Sequence, residues 1–297
     1  MDTNLASLQP ANDAGVPQIG PLFRKVQQVY LGQFRRWFGI TAPTSVVAAV
    51  IFGLAGQWVG RTLASIVPER FFYHRTELIE IALLGLGSFF AAWLLGSFAL
   101  GAVATIVGNL RGEQDGPWVH DSHERARERF GTIFWIALLT YALLLIGFGC
   151  VWIVNAALTK IFGAASFARH ATSIGLVEWV VVASLVSWFG MAVPLALRDN
   201  TGAWRSLQKS LELADGYQGF LLLLVLESVV GSYVAWYVTQ YVVRLLPSMW
   251  FGSWYVWAEL VAGALASAAV QPPLFIGLSL LAVPEGRTQA SEADLRS

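Results

Sequence analysis

Ala203-Trp204-Arg205-Ser206-Leu207-Gln208-Lys209-Ser210-Leu211-Glu212-Leu213-Ala214, then Asp215-Gly216-Tyr217-Gln218-Gly219, then an almost unbroken apolar run from Phe220 to Val243: this stretch decides the fold class. Trp204, Leu207, Leu211 and Ala214 recur at intervals of three and four, while Arg205, Ser206, Gln208, Lys209 and Glu212 fall mostly on the opposite side. That periodicity predicts an amphipathic helix lying at a headgroup boundary. The apolar run after the turn is long enough to cross the roughly 30 Å hydrocarbon core, which takes about 20 residues. A surface helix therefore feeds a spanning one.

Composition extends this reading to the whole chain. With 56% hydrophobic and only 13% charged residues among 297, polar surface is too scarce to cover the apolar matter in water. Lys plus Arg and Asp plus Glu balance at 19 each, which gives no basic footprint for nucleic acid. The single cysteine, Cys150, excludes an intramolecular disulfide and a cysteine-rich metal site. No apolar central region precedes a small-residue cleavage site in the first 20 residues, so the first span is expected to act as its own insertion signal.

The expected architecture is all-α: a polytopic bundle of six transmembrane helices with two or three amphipathic helices on the cytoplasmic face. One membrane domain covers residues 17–283, with spans at about 45–64, 78–110, 131–159, 172–197, 220–244 and 254–283. Polar residues 1–16 and 284–297 read as disordered tails. A first surface helix carries Leu22, Phe23, Val26, Val29, Tyr30, Phe34, Trp37 and Phe38 on one face, with Arg24, Lys25, Arg35 and Arg36 on the other. Thr41-Ala42-Pro43 is expected to end it. A second starts at Pro117-Trp118 and reaches Phe130. Pro194 should bend the fourth span, and Gln271-Pro272-Pro273 must interrupt the sixth, freeing backbone carbonyls that in lipid need partners inside the protein.

Thirteen of the 19 Lys and Arg residues fall on the side of the termini and six on the other, which predicts cytoplasmic termini in a cell (inner) membrane. Trp37, Trp118 and Trp204, with Arg35, Arg36, Arg205 and Lys209, are expected as interfacial anchors. Phe34, Phe130 and Tyr217 occupy equivalent places before the odd-numbered spans, at intervals of 96 and 87 residues. This suggests three tandem units of surface helix, span, outer link and span.

Ser210-Leu211-Glu212-Leu213-Ala214-Asp215-Gly216-Tyr217 resembles the Ser-x-x-Leu-x-x-Gly-aromatic signature before the penultimate span in the membrane domain of glycerophosphoryl diester phosphodiesterases and the related YciC-like bacterial membrane proteins. Trp204-Arg205-Ser206-Leu207 fits the basic run upstream of it, and Gly101-Ala102-Val103 leading to Arg111-Gly112-Glu113 is similar to that family's end of the second span. The Pro-Gly turn that the family shows before the fourth span is missing. The resemblance implies a multi-pass bacterial membrane domain and carries over no catalytic residue. Phosphodiesterase activity there belongs to a soluble barrel for which this chain has no room, and His74-Arg75 is followed by Thr76 where that domain's entry motif has glycine.

Chemistry-bearing residues are few. His120-x-x-His123 has helical spacing for two metal ligands, but Asp121, Glu124 and the neighbouring arginines make the segment a solvated surface. Glu80, Glu178 and Glu259 fall in the first turns of spans entering from the outer side, where helix N-termini favour acids. Glu227 lies about ten residues into the fifth span, where an ionised side chain costs about 2.5–3.5 kcal/mol on insertion scales. It should face the bundle and be paired or uncharged. Glu227 with Asn155 and the break at Gln271, Pro272 and Pro273 could line a polar site for a proton, an ion or a lipid headgroup; equally, the carboxyl could be packing glue between helices. No catalytic, cofactor or metal set emerges. The leading expectation is a non-enzymatic membrane protein that organises lipid or a protein complex. A transporter or channel comes second and a membrane-embedded enzyme third. Membrane lipids, a membrane protein partner or a second copy are the expected partners.

Overall fold

The computed structural model describes residues 19–65, 75–110, 119–162, 177–178, 180–245 and 254–282, and every element among them is helical. In chain order these are α1 (Ile19–Gly32), α2 (Phe34–Ser65), α3 (Arg75–Leu110), α4 (Val119–Glu128), α5 (Phe130–Phe162), α6 (180–189), α7 (Ala192–Asp199), α8 (Ala203–Ala214), α9 (Gln218–Leu245), α10 (Tyr255–Val270) and α11 (Pro272–Ala282). Among the described residues six helical stretches are long and apolar enough to cross a membrane: Phe34–Ala64, Thr76–Gly108, Phe130–Val154, Val180–Asp199, Gln218–Leu245 and Tyr255–Ala282. The protein is a multi-pass helical membrane bundle. The expected terminal tails and the start of the second surface helix at Pro117-Trp118 lie outside the described residues.

Three junctions repeat. The Gln33 carbonyl accepts the Trp37 amide at 3.3 Å, the Arg129 carbonyl the Ile133 amide at 3.1 Å, and the Tyr217 carbonyl the Leu221 amide at 2.9 Å, each opening the long helix that follows a short one. Phe34 and Phe130 are the first residues of α2 and α5, and Tyr217 immediately precedes α9. The packing repeats as well. α4 lies on α3 and α8 on α7, each on the second span of the preceding unit, and α1 closes the ring by lying on α11. α3, α7 and α11 contact one another at the centre, whereas α2, α5 and α9 stand around them.

Sequence and structure part company at the first junction. α1 ends at Gly32, so Phe34, Trp37 and Phe38 belong to α2, and Pro43 sits inside that helix instead of ending it. Thr41 Oγ1 donates to the Trp37 carbonyl at 3.0 Å and Thr44 Oγ1 to the Thr41 carbonyl at 2.9 Å. Both bonds turn back within the helix itself, and α2 runs on through the proline to Ser65.

The two expected proline effects are present. Pro194 has no N–H for the Gly190 carbonyl one turn earlier, and the fourth span breaks at Gly190 and Met191 between α6 and α7. α7 then ends at Asn200, whose φ of 53° is the left-handed conformation asparagine adopts more readily than most residues. The sixth span breaks at Gln271 into α10 and α11.

Candidate functional site

Two places in the bundle carry chemistry, and the first is the break at Gln271-Pro272-Pro273. A proline at position i deprives the carbonyl at i−4 of its donor, so Pro272 and Pro273 free the carbonyls of Ala268 and Ala269. Thr41 Oγ1 donates to the Ala268 carbonyl at 2.8 Å, and the Tyr30 hydroxyl donates to the Ala269 carbonyl. Both donors come from the first unit and reach the third. One turn before Tyr30 on α1, Gln27 Nε2 donates to Glu227 Oε1 at 2.7 Å. Burial first, and the Glu227 carboxylate second, push the Tyr30 phenol above its usual range, so it remains a donor through neutral pH.

α1 thus joins Glu227 to the broken backbone, two of the three features expected to form a polar site. Glu227 Oε2 is buried with no hydrogen-bond partner among the described residues. Asn155 is not part of this cluster. It lies on α5, where nothing of its side chain is described, twenty-five residues beyond Phe130, whereas Glu227 is nine residues beyond Gln218. Both helices leave the short-helix end, so the two positions differ by about 24 Å along the bundle.

The interfacial anchors divide. Trp37 is corrected outright: it is 0% exposed, and its indole Nε1 donates to the Val29 carbonyl at 3.0 Å, making it an internal strut between α1 and α2. Lys25, assigned to the polar face of α1, is buried. Arg35, Arg36 and Arg205 are exposed, and Trp118 lies outside the described residues. Lys209 pairs with Asp199 at 2.7 Å, and Asp199 also holds Arg198 at 2.6 Å. The Arg198 guanidinium in turn reaches the Ala282 carbonyl at the end of α11.

The inner face of α8 is also rotated from the expected one. Ser206, Leu207, Ser210 and Ala214 are buried, while Trp204 is 67% and Leu211 42% exposed. Ser210 faces the broken fourth span, and its Oγ donates to the Trp188 carbonyl at 2.7 Å, whereas Ser206 Oγ donates to the Gly202 carbonyl at the start of its own helix at 3.0 Å. The second break, like the first, is bridged by a hydroxyl from a short helix.

The second place is a central cavity of about 560 Å³ beyond the packed ends of the second spans. Its walls include Phe89, Trp93, Gly96 and Leu100 of α3, Thr140 and Phe148 of α5, Val182, Val186 and Phe189 of α6, and Phe275 and Leu278 of α11. The hydroxyl and indole groups of its wall already have partners. Ser97 Oγ donates to the Trp93 carbonyl at 2.9 Å, Trp93 Nε1 to Thr140 Oγ1 at 2.9 Å, and Thr140 Oγ1 to the Ile136 carbonyl at 2.8 Å. Among the described residues Glu178 is the single charged side chain in the wall. Among the described residues no group of three or more His, Cys, Asp and Glu is placed to hold a metal, and the His123 ring lies 5.9 Å from that of Phe98.

No family model, curated protein or solved structure matches this chain. Its chemistry is therefore read from the geometry alone. Sequence reasoning located the breaks and Glu227, but not Gln27, Tyr30, Thr41 and Ser210, which serve them. The local signal for Thr41 was its place two residues before a proline; the other three carry none.

Proposed function

We propose that the protein is a non-enzymatic integral membrane protein that organises lipid, in a bacterial inner membrane and with its short helices against the cytoplasmic leaflet. The observation that carries this reading is the central cavity of about 560 Å³, whose walls are apolar and whose hydroxyl and indole donors are already engaged. Such a space suits hydrocarbon and offers a hydrated solute little to bind. The groups at the sixth-span break support the same view, since Tyr30, Thr41 and Gln27 serve backbone and helix contacts. Exposed Arg35, Arg36, Arg205 and Trp204 on the short-helix end fit contact with anionic headgroups. The test is native mass spectrometry of protein released gently from its own membrane. Retained lipid in stoichiometric amount is expected; lipid-free protein would overturn the reading.

The rival is a transporter, and specific observations favour it: two interrupted spans and the unpartnered Glu227 Oε2. Proteoliposome flux abolished by Glu227→Gln would establish transport in place of lipid organisation.

A further inference from the structure

The cavity has a length, a polarity and a direction. On α3 it is lined from Phe89 to Leu100, about 16 Å at about 1.5 Å per residue. That is close to half of the roughly 30 Å hydrocarbon core, the depth of one leaflet. Its inner end stops at Gly190, Val193 and Leu278, where the central helices close. At its outer end stands Glu178, at the start of the fourth span, on the side of the bundle opposite the short helices.

The three acids at outer span ends differ in what they meet. Glu259 is paired with Arg244 at 2.9 Å, and Glu80 is exposed. Glu178 is half-buried in the cavity wall with no hydrogen-bond or ion-pair partner among the described residues. A carboxylate at the outer end of a leaflet-deep apolar slot, with no other charge among the described residues of its wall, is complementary to an ammonium group on an alkyl-chain amphiphile.

From this juxtaposition we infer that the cavity is a binding site for a membrane lipid of the leaflet opposite the short helices, one chain in the slot and a primary-amine headgroup at Glu178. This rests on the lipid-organising function proposed above and adds headgroup selectivity to it. Glu178 is a specificity residue, and the slot supplies retention.

The full chain reconstituted in vesicles of equimolar phosphatidylethanolamine and phosphatidylglycerol, then analysed by native mass spectrometry, separates the two claims. Wild type is expected to retain the amine lipid with a preference of about fivefold, the size a partly exposed ion pair provides. Glu178→Gln should retain as much lipid with the preference lost, and Glu178→Lys should reverse it. Gly96→Phe should remove the bound lipid itself, because Gly96 lines the slot and a Cβ there meets nothing within 4 Å. A preference unchanged in both Glu178 variants overturns the headgroup assignment. Absence of lipid from wild type, or equal lipid in Gly96→Phe, overturns the cavity reading instead. Each variant is scored only as a monodisperse species, and an aggregating Glu178→Gln is replaced by Glu178→Ala.

Discussion

Gly96 and Gly101 lie on the same helix less than two turns apart, and they belong to different worlds. A Cβ at Gly101 would meet Ile133 at 3.1 Å and Leu197 at 3.3 Å, whereas one at Gly96 would meet nothing. Below Gly101 the second spans converge around Ala102, Val103 and Ile106 of α3, Leu195 of α7 and Ile276 of α11, all buried. Above Gly96 the same spans part around the cavity. The short helices account for the difference. α1, α4 and α8 each dock on a second span, and side chains of α1 and α8 supply hydrogen bonds that keep broken backbone inside a dry core. Among the described residues the other end has no such docked helix, and there the second spans part around the cavity.

That contrast is open to direct attack, most severely at Trp37. Trp37→Ala removes a wholly buried ring and its bond to Val29, and should cost about 3–5 kcal/mol, read as loss of folded protein in reversible denaturation from micelles. Gly101→Phe should follow at about 3 kcal/mol or more from overpacking, while Gly96→Phe leaves the unfolding midpoint nearly unchanged. Equal effects at the two glycines would erase the distinction between packed and open ends. Thr41→Val and Tyr30→Phe each strand a proline-freed carbonyl, and about 1–2 kcal/mol is expected from each in the same assay. Ser210→Ala should cost about 1 kcal/mol, marking the fourth-span break as equivalent to the sixth. Trp204→Ala is the mildest: its exposed ring predicts a stability change within about 0.5 kcal/mol, with weaker partitioning onto anionic vesicles as the visible effect.

How much of this was legible follows from what lipid does to hydrophobic patterns. Length and apolarity located the spans, and proline chemistry located both breaks, because those rules need no tertiary partner. Facing could not be read the same way. In water an apolar stripe turns inward, but beside a bilayer Trp204 and Leu211 are as well placed outward, and Ser210 turns inward to the Trp188 carbonyl. The end of α1 was misplaced because Pro43 looked like a stop, whereas the break falls at Gln33 and the helix from Phe34 runs through the proline. The partners of the sixth-span break were beyond local reading, since Thr41 and Ala268 are 227 residues apart. Glu227 stood out as a charge in an apolar run, whereas Glu178, at a helix start, looked ordinary until the cavity beneath it was visible.

The ring of short helices also sets a timetable. Tyr30 and the carbonyl it serves are separated by 239 residues, so α1 is synthesised long before α11 exists. At about 5–20 residues per second, that interval lasts roughly ten to fifty seconds. During it, α4 and α8 find their seats on helices already made, while α1 can meet α2 and α9 but not the span on which it chiefly lies. The emergence of α11 is therefore the moment at which the whole circuit locks, and a chain halted before Gln271 would wait at the membrane with its first helix lacking its seat on the sixth span.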